Sequence, residues 1–294
     1  MLKWRLVSLD DQAFIREKLT LEPREGCEYG FCNIFSYGAK FPLYVCETNG
    51  CFVTKCVSKD MDYYCFPVGG DKAAAIRDVV AAARETGRSS ELYGMTEAEA
   101  AILETAFPGA FQIEEARDSF DYVYLREDLV SLAGKKYQSK RNHISFFERN
   151  FRWSYERITP ETIPECLAMS RRWLEESHPD QRAELEDEYR VIAAAFKQYN
   201  ALGCVGGLLR VDGQVVAYTF GEALTNDIFC VHFEKAFASV RGAYPMINRQ
   251  FVLQELSAFR YINREDDMGS DNLRKAKMSY HPAFFVEKYE TRIL

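Results

Sequence analysis

The stretch Val205-Gly-Gly-Leu-Leu-Arg-Val-Asp-Gly-Gln-Val-Val-Ala-Tyr-Thr-Phe-Gly-Glu-Ala-Leu-Thr-Asn-Asp-Ile-Phe-Cys-Val-His-Phe-Glu234 decides the fold. Two strand-like runs, 205–211 and 214–224, flank Asp212-Gly213, a dipeptide that accepts the positive φ angles of a tight hairpin. A third run covers 228–234. Arg241-Gly242-Ala243 follows, then a helical stretch with Ile247, Phe251, Leu253, Leu256 and Phe259 as candidate buried positions. The first half repeats this plan. Runs at 42–48 and 51–57 flank Asn49-Gly50, and a third run at 62–67 leads into Val68-Gly69-Gly70. A helix then spans Lys72 to Thr86, with Ile76, Val79, Val80 and Ala83 on one face.

Working outward, the first half continues with a short strand near Leu92, a helix from Thr96 to Ala106, and strands near 111–114 and 120–125. The second half opens with a strand at Trp153–Ile158 and helices near 161–178 and 183–199. It closes with a strand at 260–263, a helix at 271–279 and a last strand at 283–290. The expected architecture is α+β: two similar units, each a mixed and mostly antiparallel sheet flanked by helices. The units are placed at 1–133 and 151–294, with a connecting helix at 134–150.

Composition fits a globular chain. Of 294 residues, 47% are hydrophobic and 28% charged, and the net charge of −7 excludes a protein that coats nucleic acid over its whole surface. No run approaches the ~18 consecutive apolar residues of a membrane span, and the first residues lack the apolar core of a signal peptide. A cytoplasmic protein is the expectation. The nine cysteines are odd in number and form no C-x-x-C, so they are read as reduced core thiols. His143, His178, His232 and His281 are too scattered in sequence to announce a metal site, and no metal is expected.

Charge is concentrated in two places. The 135–152 segment carries six bases (Lys135, Lys136, Lys140, Arg141, Arg149, Arg152) and one acid, Glu148. On a helix Lys136, Lys140 and His143 share one face, with Tyr137 and Arg141 beside it. Such a face attracts an anionic ligand, which makes Lys136, Tyr137, Lys140, Arg141 and Asn142 candidate substrate-binding residues. The second place is Asn263 to Tyr280, sorted as acids (Glu265, Asp266, Asp267), then Gly269, then Ser270 and Asp271, then bases (Arg274, Lys275, Lys277). This order reads as a strand end, a turn and a helix capped by Ser270 or Asp271, whose free N–H groups suit an anion.

The element order of residues 151–294 resembles the GNAT acyltransferase fold. In that family the loop matching Ala238–Ala243 wraps the pyrophosphate of coenzyme A, and here Ser239 stands where the family pattern has Arg or Gln. Leu273-Arg274-x-x-Lys277-x-x-Tyr280-x-Pro282 resembles the terminal motif of the phosphatidylglycerol lysyltransferase catalytic domain and its soluble relatives. Gly134-Lys-Lys-Tyr-Gln-Ser-Lys-Arg-Asn-His-Ile144 also resembles a signature of those relatives. They carry two GNAT units in tandem, as do the Fem-type aminoacyltransferases.

The resemblance implies an acyltransferase using acyl-CoA or aminoacyl-tRNA as co-substrate and an amine or hydroxyl acceptor, either a small molecule or a lipid headgroup. Arg241, Gly242, Ala243, Asn272 and Arg274 would then hold the donor. Acyl transfer needs a base, an oxyanion donor and an acid for the leaving group. Glu234 and Asp266 or Asp267 are the candidate bases, and Lys277 or backbone N–H groups where strands part are candidate oxyanion donors. Tyr280 stands where GNAT enzymes often carry the tyrosine that protonates the leaving thiolate. His232 either lines the cleft beside Glu234 or is a satisfied core histidine. A binding module that kept the fold without the chemistry, holding an anionic metabolite or nucleic acid between the units, is the alternative.

Overall fold

A computed structural model describes residues 2–176 and 182–293; His178 lies outside the described residues, as does the expected helix end near it. The chain begins with β1 (Arg5–Leu6), α1 (Gln12–Leu21) and α2 (Phe31–Ser36). The first meander follows as β2 (Leu43–Thr48), β3 (Cys51–Val57) and β4 (Met61–Cys65), with β5 (Val68–Gly69) in the glycine loop. Then come α3 (Lys72–Thr86), β6 (Ser89–Met95), α4 (Glu97–Ala106), β7 (Phe111–Glu115), β8 (Asp121–Leu125) and α5 (Arg126–Ser131). A 3-10 turn at Lys135–Tyr137 leads into the basic helix α6 (Gln138–Asn150).

The second half contains β9 (Trp153–Arg157), α7 (Ile163–Glu175), α8 (Arg182–Lys197) and the meander β10 (Val205–Val211), β11 (Gln214–Ala223) and β12 (Ile228–Ala236). It ends with α9 (Ala243–Glu255), β13 (Tyr261–Asn263), α10 (Asp271–Met278), β14 (Phe284–Val286) and β15 (Tyr289–Ile293). Both hairpins turn on a left-handed pair, Asn49-Gly50 and Asp212-Gly213, with φ of 50° and 78° and of 50° and 81°. These angles match the twist of the flanking strands.

The two sheets exchange strands. One runs β1-β2-β3-β4-β6-β15-β7, with β5 on β3, and the other runs β14-β8-β13-β12-β11-β10-β9. The boundary placed after residue 133 therefore does not separate the sheets. Strand β8, before it, pairs with β13 and β14, and β15, from the end of the chain, sits between β6 and β7. The single last strand expected at 283–290 is two short strands in different sheets. One apolar cluster, from Ile15 to Tyr280, runs through both halves. All nine cysteines are free thiols, buried except for the half-buried Cys56.

The exchange is fixed where the chain steps from β14 to β15. The Lys288 ammonium is buried 2.7 Å from Asp121 Oδ1 and 2.7 Å from Glu28 Oε2. The second oxygen of the fully buried Asp121 accepts the Cys27 N–H at 2.7 Å and the Asn263 side-chain amide at 2.9 Å. Lys288→Met removes the counter-charge of buried carboxylates. We expect it to cost about 3–5 kcal/mol, read as a lower urea midpoint at unchanged slope.

The charge-sorted segment closes on itself. Asp267, fully buried, is gripped by Arg274 through Nε and Nη2, both at 2.8 Å, and accepts the Gly269 N–H and the Tyr122 hydroxyl. Ser270 occupies the N-cap of α10, but its side chain makes no capping bond, because the Asp267 clasp already fixes the turn. Arg274, with help from Tyr122 and the Gly269 N–H, holds the Asp267 carboxyl down at about 2. This clasp contributes fully above the unfolded carboxylate pKa of ~3.9 and is lost as pH falls toward about 2. Urea midpoints measured on the acid side should therefore drop more steeply for the wild type than for Asp267→Asn.

Candidate active site

Strands β12 and β13 run parallel from Ile228↔Tyr261 to Cys230↔Asn263 and then part. Strand β12 continues on β11, placing Glu234 opposite Thr219. Residues 264–265 instead stay on β8: the Arg264 N–H donates to the Tyr122 carbonyl at 3.0 Å, and the Tyr122 N–H to the Glu265 carbonyl at 3.1 Å. The Arg264 side chain spans the resulting gap. Its Nη2 donates to Glu234 Oε1 at 2.9 Å, and its guanidinium lies 4.9 Å from the Tyr280 ring centroid and 5.7 Å from that of Tyr124. Nη1 of Arg264 is buried and has no partner among the described residues.

Two other elements close on this gap. Asn248 of α9 donates to Glu234 Oε2 at 3.3 Å. Helix α6 brings the Lys140 ammonium to 3.9 Å from the Tyr280 ring centroid. Burial, then the charge of Arg264, pushes Lys140 down to about 8, against the opposing pull of Glu234. Burial raises the Tyr280 hydroxyl above its ordinary range. The turn after α10 is pinned to the turn before α6, since the Tyr137 hydroxyl donates to the Tyr280 carbonyl at 2.9 Å. The His281 ring meets that of Tyr137 edge-on at 5.4 Å. This clamp sets Tyr280 under Lys140.

Glu234, Tyr280 and Lys140 thus come together around Arg264, and Lys277 stands next to them. Its Nζ donates to the Arg264 and Glu265 carbonyls, the latter at 3.0 Å, and burial together with Arg264 lowers its pKa. Asp266 lies elsewhere. It lines a cavity of about 140 Å³ with Glu28, Gly94 and Lys288. Burial, reinforced by Glu265 and Asp121, raises its carboxyl to about 6 despite Lys288.

Arg274, expected at the donor, is taken up by Asp267 and Asp118. Asn272 is exposed on α10 and Asn142 on α6. Lys136 is 3.7 Å from Asp128, and Arg141 donates to the Leu132 and Gly134 carbonyls, so both hold α6 in place.

The loop before α9 packs against α6. Arg241 lies 4.4 Å from the Phe146 ring centroid, and Ala243 is buried. A Cβ on Gly242, whose φ is 91°, would come within 2.4 Å of the His143 carbonyl oxygen. His232 faces the first unit, its ring fully buried between Glu265 and Glu222. Burial pulls its pKa down, but Cys230, followed by the hydrogen bonds of Glu222 and Glu265, raises it well above the ordinary imidazole value. Sequence periodicity does not single out Arg264 or Asn248. The only signal for Arg264 is its place as a lone base at the head of the acidic run.

The phosphatidylglycerol lysyltransferase C-terminal family matches residues 20–291. An uncharacterized protein of Mycoplasmoides gallisepticum is 26% identical over 60% of this chain, and the match spans 57% of that protein's length. A conserved Bacteroides thetaiotaomicron protein of unknown function shares 35% identity with a TM-score of 0.94, covering 100% of both chains. L-PGS from Bacillus licheniformis superposes with a TM-score of 0.66 at 12% identity, over 96% of this chain and 91% of that one. A tandem GNAT protein of the clavulanic acid biosynthesis pathway gives 0.53 at 11% identity, over 100% and 99%. The chain has the tandem GNAT fold and belongs to the phosphatidylglycerol lysyltransferase C-terminal family.

Proposed function

We propose that this protein is a transferase that moves an aminoacyl group from an aminoacyl-tRNA ester to an amine or hydroxyl acceptor at Arg264. The observation that carries this reading is Arg264 Nη1, buried and without an acceptor among the described residues, with the Tyr280 ring and the Lys140 ammonium beside it. An unpaired guanidinium N–H with an ammonium nearby suits a carbonyl oxygen as it becomes negative. The acceptor attacks the ester carbon and gives its proton to Glu234. The ester C–O bond breaks, and the departing oxygen takes the Tyr280 proton. Asn248 and Arg264 hold Glu234 in register for this exchange.

The packing of α6 on the loop at Gly242 favours the ester donor over acyl-CoA, because one side of that loop is already filled. The start of α9 at Gly242-Ala243 supports acyl-CoA as a second reading. No helix among the described residues is long and apolar enough to cross a membrane. A lipid headgroup acceptor, which the family's description suggests, would be met at the membrane surface. A small-molecule acceptor fits the same chemistry, and a cytoplasmic location would suit a tRNA donor.

The test is donor consumption. Labelled aminoacyl-tRNAs and acetyl-CoA are offered with phosphatidylglycerol vesicles or soluble amines. We expect aminoacyl transfer above spontaneous hydrolysis, and a loss of about 10²–10³ in kcat for Arg264→Gln with the fold unchanged by circular dichroism. Full activity in Arg264→Gln would place the site elsewhere. Consumption of acetyl-CoA alone would exchange the donor, and binding of either without turnover would favour the non-catalytic alternative.

A pH profile provides a separate check. Lys140 is a cation below about 8 and neutral above it, so its help to an oxyanion fades as pH rises through that value. The rate should fall on the alkaline side for the wild type. In Lys140→Arg, which stays charged, that fall should disappear.

A further inference from the structure

Strand β12 carries one extra residue where it pairs with β11. Phe233 faces Phe220 and Val231 faces Gly221, which leaves His232 without a register partner. A bulge re-aims a side chain, and here it sends His232 toward α2 and the seam between the two halves. Three buried groups from distant parts of the chain meet there: the Cys32 Sγ, a Glu222 carboxylate oxygen and a His232 ring nitrogen, all within 4.8 Å of one another. A further thiol, the Cys204 Sγ, lies 3.6 Å from that of Cys32 but outside this cluster.

The spacings can be compared with those of a metal's ligands. Nitrogen and oxygen ligands of one tetrahedral zinc stand about 3.3 Å apart, given the usual zinc–ligand lengths. His232 Nε2 is 3.2 Å from Glu222 Oε1. The other ring nitrogen behaves differently. His232 Nδ1 is 2.7 Å from Glu265 Oε1, too close for two ligands of one ion and right for a hydrogen bond. A carboxylate on the second nitrogen is the usual device that orients a metal-bound histidine. The Asn33 side-chain amide donates to the same Glu265 oxygen at 2.8 Å, and the Cys32 N–H donates to Glu222 Oε1 at 2.6 Å, so both carboxylates are held in place.

Two rival clusters fail on the same criteria. Cys230, His232 and Glu265 would need the 2.7 Å contact to be a ligand pair. Cys27, Glu28 and Asp121 already surround the Lys288 ammonium, which occupies the place of a cation.

We propose that Cys32, Glu222 and His232 form a structural three-ligand site for zinc or a similar borderline-soft divalent ion that joins α2 of the first half to the second-half sheet. Thiolate, imidazole and carboxylate ligands suit such an ion. The Cys32 thiol and the imidazole release protons to solvent as it binds. Because all three clustered ligands are buried, the ion enters as the chain folds.

Protein expressed with added zinc and purified without chelator should hold close to one zinc per chain by mass spectrometry. His232→Gln and Cys32→Ser should lower that content at least tenfold. Cys230→Ser, which alters a neighbour of His232 outside the set, should leave it unchanged. If the ligand variants do not fold, wild-type protein refolded with cobalt(II) should show a thiolate-to-metal charge-transfer band. The idea fails if the wild type carries no metal after refolding with zinc and gives no cobalt band. It also fails if Cys230→Ser, and not Cys32→Ser, loses the metal, or if Cys32 and Cys204 are isolated as a disulfide.

Discussion

The buried ammonium of Lys288, set between Asp121 and Glu28, is the contact on which the arrangement of both sheets depends. Taking a lysine and two acids out of water is costly, and such a cluster persists only when nearly every lone pair and proton is matched. Here Asp121 reaches that state by accepting from Cys27, Asn263 and Lys288 together. Asp121 itself lies on β8, and its three partners come from the N-terminal segment, β13 and the step into β15. Moving any of these strands would strand a charge, so the exchange between sheets is specified by electrostatics that a purely apolar seam would not supply.

The gap at Arg264 follows from that arrangement. Strand β8 is held in the second sheet, and residues 264–265 remain bonded to it while β12 continues along β11. The parting of β12 from β13 is therefore a consequence of where β8 lies. Arg264 sits at the fork. Its neighbours in sequence are consumed elsewhere: Glu265 on His232 and Asn33, Asp267 on Arg274 and Tyr122. At the fork this leaves the Arg264 guanidinium, with an N–H that has no acceptor among the described residues, beside Glu234, Tyr280 and Lys140.

Most strands and helices are legible in the sequence because each depends on local signals, such as the Asn-Gly and Asp-Gly turns and the apolar face of α3. The sheet to which a strand belongs is not legible. Strands β8 and β15 have ordinary strand composition, and their placement rests on Asp121 and Lys288, 167 residues apart. The same holds for His232. Its alternation with apolar neighbours is equally consistent with a core or a cleft position, and only the bulge and partners such as Cys32, 190 residues from Glu222, separate the two.

The motif Leu273-Arg274-x-x-Lys277-x-x-Tyr280-x-Pro282 shows how a signature can mix scaffold with site. Arg274 points back to Asp267 and closes the turn that begins α10. Lys277 caps the carbonyls of residues 264 and 265, which fixes the backbone from which Arg264 projects. Only the Tyr280 ring reaches the gap itself, and it does so because Tyr137 holds its carbonyl from the far side. The two bases of the motif act on the shape of the fork and the tyrosine acts within it. A substitution at Arg274 or Lys277 would therefore displace Arg264 before it altered any contact with a substrate.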